Sequence, residues 1–288
     1  MSSVDLAHLA TTTPLSAIVA AIPYIDPLPP PVETRPFEKG NQEELPRVFH
    51  SLPIWDVRPV HTALSLDGNG FVRRQHHSAV TDFHDPDQLE QVYRPEIEAL
   101  VQQQTGADRV ILFHMLRRKE GSILPPARVA HIDYSEACYR RWVQSLLPAD
   151  QVAALQSARL ISVNVWRPLV PIVRTPLCLC DPHRVSMADL KDTVIIGPSE
   201  TARMNRREGY HVKYSPHHRW YYLSAMQTDE VWIFKQYDSD PTQPQRVAHC
   251  AFEPPEVPAD APPRESIEVR ALAFLSSRSA SPPQTPSP

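Results

Sequence analysis

From residue 160 to residue 274 the chain reads as one strand after another, and this run limits the available folds more than any other feature. "LISVNVWR" alternates, with Leu160, Ser162, Asn164 and Trp166 on one face and Ile161, Val163, Val165 and Arg167 on the other. "HRWYYLSAM", "EVWIFKQYD", "RVAHCAF" and "RESIEVRALAF" follow, each rich in aromatic or β-branched residues and bounded by polar or proline-rich turns. The first half supplies helices. "PEIEALVQQQTGAD" carries Pro95 in a favoured first-turn position and an apolar stripe of Ile97, Leu100 and Val101. "SEACYRRWVQSLL" has Ser135 as its cap, and "DQVAALQ" is a shorter helix. "RVILFHML", residues 109 to 116, lies before them as a buried strand containing His114, a core residue. Helices followed by a run of strands predict an α+β domain or an elaborated β-barrel, not a doubly wound sheet.

Glycine content narrows the chemistry. With 7 glycines in 288 residues there is no Gly-rich phosphate loop, which excludes the usual dinucleotide and nucleoside triphosphate enzymes. A net charge of -4 without a dense Lys/Arg run gives no electrostatic case for nucleic acid. No apolar stretch is long enough to span a bilayer. "LSAIVAAIP" lacks a basic lead-in and is bounded by prolines, so it does not read as a signal peptide, and a cytoplasmic location is expected. Cys138, Cys178, Cys180 and Cys250 match no zinc ribbon or redox pair, and read as free thiols of a reducing compartment. Many of the 32 prolines sit in "PYIDPLPPPVETRP" and "SSRSASPPQTPSP". The expected organisation is a variable Pro-rich region over 1–45, a folded domain over 46–275 and a disordered Pro/Ser-rich tail over 276–288.

The candidate chemistry begins in "ARVAHIDYS". In a strand His131 and Asp133 face the same side, and one imidazole with one carboxylate suits iron(II) once a second histidine joins them. His211, His217 and His218 cluster in "GYHVKYSPHHRWYY", where Pro216 and turn residues favour a structural or surface role. His249, in "RVAHCAF", is better placed. In the next strand Arg264 and Ser266 share a face, so a guanidinium and a hydroxyl project together, suited to gripping a carboxylate. Three readings stay open on these residues alone. The first is an iron enzyme with a chelating cosubstrate. The second is a cupin-type jelly roll holding zinc or nickel, which would have no use for Arg264. The third is a non-enzymatic module recruiting partners through its Pro-rich ends.

The ordered set of His-x-Asp, distant His and Arg-x-Ser resembles the iron(II)- and 2-oxoglutarate-dependent oxygenases. More narrowly it is similar to the hydroxylase/desaturase family that includes AsaB-like enzymes, gibberellin desaturases and cephamycin methoxylation proteins. "TGADRVILFHMLRR", "ARVAHIDYS", "NVWRPL", "PLCLCD", "HRWYYLSAMQTDEVWIFKQYDS", "RVAHCAF" and "PRESIEVRALAF" carry the resemblance, within residues 93 to 274. It implies a mainly β fold with flanking helices, the double-stranded β-helix or jelly roll. It implies iron(II) on His131, Asp133 and His249, with 2-oxoglutarate and dioxygen as cosubstrates. Arg264 would hold the distal carboxylate of 2-oxoglutarate, assisted by Ser266. Arg270, on the same face, would either hold that carboxylate or close a buried ion pair. Asn164 and Trp166 would line the pocket while Arg167 faces away; Trp220, Tyr221, Tyr222 and Trp232 would fill the core. The implied activity is hydroxylation, desaturation or cyclisation of a small molecule in secondary metabolism, with release of succinate and carbon dioxide.

Overall fold

The alternating segments assemble into two sheets that face each other across the interior. The computed structural model describes residues 6, 14–25, 33–34, 47–196 and 206–276, so the expected tail lies outside the described residues from residue 277 onward. The strands in chain order are β1 (Ala17–Ile25), β2 (Glu33–Thr34), β3 (Arg47–Asp56), β4 (Phe71–Gln75), β5 (Arg109–Lys119), β6 (His131–Ile132) and β7 (Arg159–Pro168). They continue as β8 (Leu177–Cys180), β9 (Leu190–Ile196), β10 (Arg206–Val212), β11 (Trp220–Tyr222), β12 (Glu230–Asp238), β13 (His249–Ala251) and β14 (Glu265–Leu275). Nine of them form one sheet in the order β1-β3-β11-β8-β13-β6-β10-β9-β2, and five form the other, β4-β12-β7-β14-β5. Neighbours run antiparallel except for β3 with β11 and β2 with β9. β1 falls inside the stretch expected to be variable, and it is an edge strand. Its Pro23 is tolerated there because an edge position need not donate a second ladder bond.

Contacts between the sheets are aromatic at one side and polar at the centre. Phe71 of β4 packs against Tyr221 of β11 with ring centroids 6.1 Å apart. Phe234 of β12 meets His249 of β13 at 4.9 Å. Trp220, Tyr221 and Trp232 are buried, as expected of core aromatics. Helix α1 (Arg94–Thr105) starts with Pro95 in its first turn and stops at Gly106, whose φ of 70° is a left-handed conformation that glycine adopts without a Cβ clash. Its buried Ile97, Leu100 and Val101 join one apolar cluster with Val163 and Val165 of β7 and Ile267 and Val269 of β14. The alternation of β7 and β14 thus sends their aliphatic residues to the helix and their polar ones inward. Helix α2 (Glu136–Leu146) is capped by Ser135, whose hydroxyl accepts from the Cys138 N–H at 3.2 Å. Cys138, Tyr139, Trp142 and Val143 pack with Tyr134, Leu272 and Phe274. All four cysteines are free and buried.

Two irregularities break the smaller sheet. The β12–β7 register shifts between Lys235 and Tyr237, and the β14–β5 register shifts between Arg270 and Ala271. A bulge re-aims side chains, and both bulges sit beside the site described next.

Candidate active site

Three strands of the larger sheet and three of the smaller one converge on Asp133. β6 lies between β13 and β10, and His249 is the direct cross-strand partner of His131, their rings 4.3 Å apart. Asp133, two residues beyond His131, projects to the same side. The Nδ1 of His131 lies 2.8 Å from the Val129 carbonyl, and that of His249 lies 3.3 Å from the Val247 carbonyl. Each ring therefore donates Nδ1–H to the backbone and presents Nε2 inward, the arrangement that orients imidazoles for metal binding. Nε2 of His131 is 3.8 Å from Asp133 Oδ1, and Nε2 of His249 is 4.0 Å from Oδ2. An ion with nitrogen and oxygen bonds of about 2.0–2.2 Å bridges such gaps. Among the described residues these three form the only group of histidine, cysteine and carboxylate side chains close enough to hold an ion.

The surroundings keep these groups in their ligand forms. Burial pushes the His131 imidazole down to about 4, with His249 adding to the effect, and burial lowers His249 as well. Burial works to raise the Asp133 carboxyl, but Arg270, His249 and His131 outweigh it and hold it below the usual carboxylate range. Neutral imidazoles and an ionised carboxylate are what a divalent cation requires.

Asp133 is gripped from the smaller sheet. Arg270 Nη2 donates to Oδ1 and Asn164 Nδ2 to Oδ2, each at 2.6 Å. The Asp133 N–H donates to Gln236 Oε1 at 3.0 Å. Arg270 also donates to the Tyr134 hydroxyl at 2.6 Å and to Glu268 at 3.0 Å. Of the two roles open to Arg270, the structure thus forms the buried ion pair. Asn164 is committed to Asp133. Gln236 and Tyr134 were not expected: Gln236 reaches inward because it lies two residues beyond Phe234, on the face of β12 that meets His249, and Tyr134 was hidden behind its more conspicuous neighbours in "HIDYS".

Arg264 sits apart from this cluster and is buried. It donates from Nη1 to the Thr175 carbonyl at 2.8 Å, lies 3.4 Å from Ser266 Oγ and stacks over Trp166 with 4.9 Å to the ring centroid. Its Nε has no partner. A buried guanidinium with a bare donor and no carboxylate calls for an anionic ligand. Arg167 faces the opposite way, bonded to the Tyr93 hydroxyl and the Thr228 carbonyl at 3.1 and 2.7 Å. His211 is the cross-strand neighbour of His131, yet its Nδ1 is taken by Thr193 Oγ1 at 2.6 Å and it falls outside the ligand group. His217 is exposed, and His218 stacks on Tyr24 at 5.6 Å. His114 contacts the Tyr134 hydroxyl at 3.0 Å.

Residues 22–274 match the model of a family described as "Oxidoreductase/YMDC permease-like domain". The Fe(II)/2-oxoglutarate-dependent dioxygenase nvfI of Aspergillus novofumigatus is 36% identical, over 78% of this chain and 83% of that protein. The hydroxylase/desaturase efuI of Hormonema carpetanum is 30% identical, over 76% and 81%. The solved structure of the iron and alpha-ketoglutarate-dependent endoperoxidase NvfI superposes with a TM-score of 0.78 at 31% identity, covering 90% of this chain and 97% of that one. No helix among the described residues is long and apolar enough to cross a membrane. The two-sheet fold, the His-Asp-His group and these likenesses agree, and the chain belongs to the Fe(II)/2-oxoglutarate-dependent oxygenases, alongside the fungal hydroxylase/desaturases.

Proposed function

We propose that this protein is a non-haem iron(II)- and 2-oxoglutarate-dependent oxygenase that hydroxylates, desaturates or cyclises a small molecule of secondary metabolism. The observation that carries this reading is the coexistence, in one interior, of a two-histidine, one-carboxylate group with both Nε2 atoms inward and a buried arginine that lacks a carboxylate. A jelly roll using another metal for non-oxidative chemistry would need the first feature and not the second.

His131, Asp133 and His249 would hold iron(II), leaving coordination positions for other ligands. Bound there with 2-oxoglutarate and dioxygen, the metal supplies the oxidising power to remove hydrogen from an unactivated C–H bond while the cosubstrate leaves as succinate and carbon dioxide. The chain's own contribution is orientation, charge balance and exclusion of water. Val129 and Val247 fix the two imidazole planes, while Arg270 and Asn164 fix the Asp133 carboxylate. Arg264 and Ser266 would receive the distal carboxylate of 2-oxoglutarate, with Trp166 as a dry floor beneath the guanidinium. The relatives' activities include dioxygenase, hydroxylase/desaturase and endoperoxidase, so the outcome depends on which part of the substrate is presented to the metal.

Succinate release tests the reading. It should require iron(II), 2-oxoglutarate and dioxygen together, even as slow uncoupled turnover without the true substrate. Tight zinc or nickel binding with no effect of 2-oxoglutarate on the metal site would overturn it.

A further inference from the structure

Arg118 is the cross-strand partner of Ser266, on the same inward face that carries Arg264. Its neighbours Arg117 and Lys119 point outward, to His84 and Glu265. One Arg118 nitrogen, Nη1, donates to the Pro125 carbonyl at 3.0 Å. Among the described residues no carboxylate lies within ion-pair distance of Arg118 or Arg264. Glu268, further along the same face, is bound to Arg270 at 2.9 Å. Glu120 accepts from the Arg264 backbone N–H at 3.1 Å and pairs through its carboxylate with Arg174 at 3.1 Å and Arg128 at 3.4 Å. Two guanidiniums on neighbouring strands, without a counter-ion, repel each other, and with Arg264 buried and Arg118 half-buried that repulsion is less screened than in open solvent. Burial and then the charge of Arg118 bring Arg264 down to about 9, so the pair is electrostatically unfinished. Ser266 stands opposite Arg118 in the ladder and its hydroxyl lies 3.4 Å from Arg264, offering a third donor.

We infer that Arg118 is a second cation of the cosubstrate pocket, so that the distal carboxylate of 2-oxoglutarate is held between guanidiniums from two neighbouring strands. The inference rests on the 2-oxoglutarate reading and adds a residue outside the Arg-x-Ser motif. The role is selective, because Arg118 acts on the far carboxylate alone and a 2-oxo acid that lacks this group does not use it.

Anaerobic titration of the iron(II)-loaded protein with 2-oxoglutarate and with 2-oxobutanoate, which has no distal carboxylate, separates the possibilities. Wild-type protein should prefer 2-oxoglutarate. Arg118→Gln should weaken 2-oxoglutarate by about 10- to 100-fold, the loss expected of a charge-assisted bond, and leave 2-oxobutanoate unchanged. Arg118→Lys should recover part of the loss, and Arg264→Lys should show the same selective pattern. Iron affinity and thermal midpoint, measured on each variant, report any structural damage. If Arg118→Gln leaves 2-oxoglutarate affinity intact, or weakens both 2-oxo acids equally, the assignment is overturned. If wild-type protein binds neither acid, the 2-oxoglutarate reading itself fails, whatever the variants do.

Discussion

Asp133 carries the densest set of interactions in the site, because its carboxylate answers to two histidines, an arginine and an asparagine while its backbone N–H donates to a glutamine. Its neighbours would act on a bound metal through it. Asn164→Ala removes one of the two 2.6 Å bonds that fix its plane and should weaken iron(II) binding by about 10- to 100-fold, the usual cost of losing a partner behind a metal ligand. His131→Ala, Asp133→Ala or His249→Ala should abolish binding outright while leaving a folded protein. His211→Ala is the informative contrast: it stands beside His131, but Thr193 occupies its Nδ1. Calorimetric titration of iron(II) should give this variant an affinity near the wild-type value; loss of binding on His211→Ala together with normal binding by His249→Ala would overturn the ligand assignment.

Strands decide how close these residues come. Gly209 of β10 passes so near β6 that a Cβ there would collide with the carbonyl oxygens of Asp133 and Ile132, the latter at 2.8 Å. Backbone cannot yield as a flexible side chain does. Gly209→Ala should therefore push β10 off β6, cost about 1–3 kcal/mol as overpacking does, and lower iron affinity by displacing Asp133. Urea unfolding and metal titration on this one variant check both effects, and an unchanged iron affinity would show that β6 does not depend on the close approach. β14 has a related role. Arg264, Ser266, Glu268 and Arg270 fall on one face by simple alternation, Ala271 and Ala273 continue the opposite, apolar face of Ile267 and Val269, and the bulge opposite Arg270 places its extra residue, Phe113, in β5. That alternation is legible in "RESIEVRALAF"; the bulge is not, because it reflects pairing with β5.

The whole molecule buries several neutral histidines, and this sets its response to acid. Burial pushes His114 and His211 down to about 3 and His131 to about 4, whereas an unfolded histidine titrates near ~6.5. Between those values the unfolded chain binds protons that the folded chain refuses, so stability is full above about pH 6.5 and falls as pH drops toward the folded values. The slope should approach about 1.4 kcal/mol per pH unit for each histidine. Urea midpoints of metal-free protein at stepped pH should fall from pH 7 to pH 5, with iron(II) opposing the fall by occupying His131. A flat profile over that interval would mean these rings are hydrated in the folded state.

Residue order by itself determined whatever follows from a local period. His131 with Asp133 and Arg264 with Ser266 share faces because strand side chains repeat every two residues, and the ends of α1 and α2 follow from Pro95, Gly106 and Ser135. The same periods left an α+β domain or an elaborated β-barrel open, and the mainly β fold with flanking helices followed from the resemblance that the motifs carry. Tertiary structure decided which distant faces meet. Pairing of β13 with β6 sets His249 against His131; the meeting of the two sheets brings Gln236 of β12 to the Asp133 N–H; the β5–β14 register puts Arg118 opposite Ser266 and His114 opposite Arg270. Two arginines of one segment, Arg264 just ahead of β14 and Arg270 within it, look interchangeable in sequence, yet the second closes on Asp133 and the first has no carboxylate. Register and bulges arise from hydrogen-bond ladders between segments far apart in the chain, and a one-residue slip in any of them would send the same side chains to the opposite face.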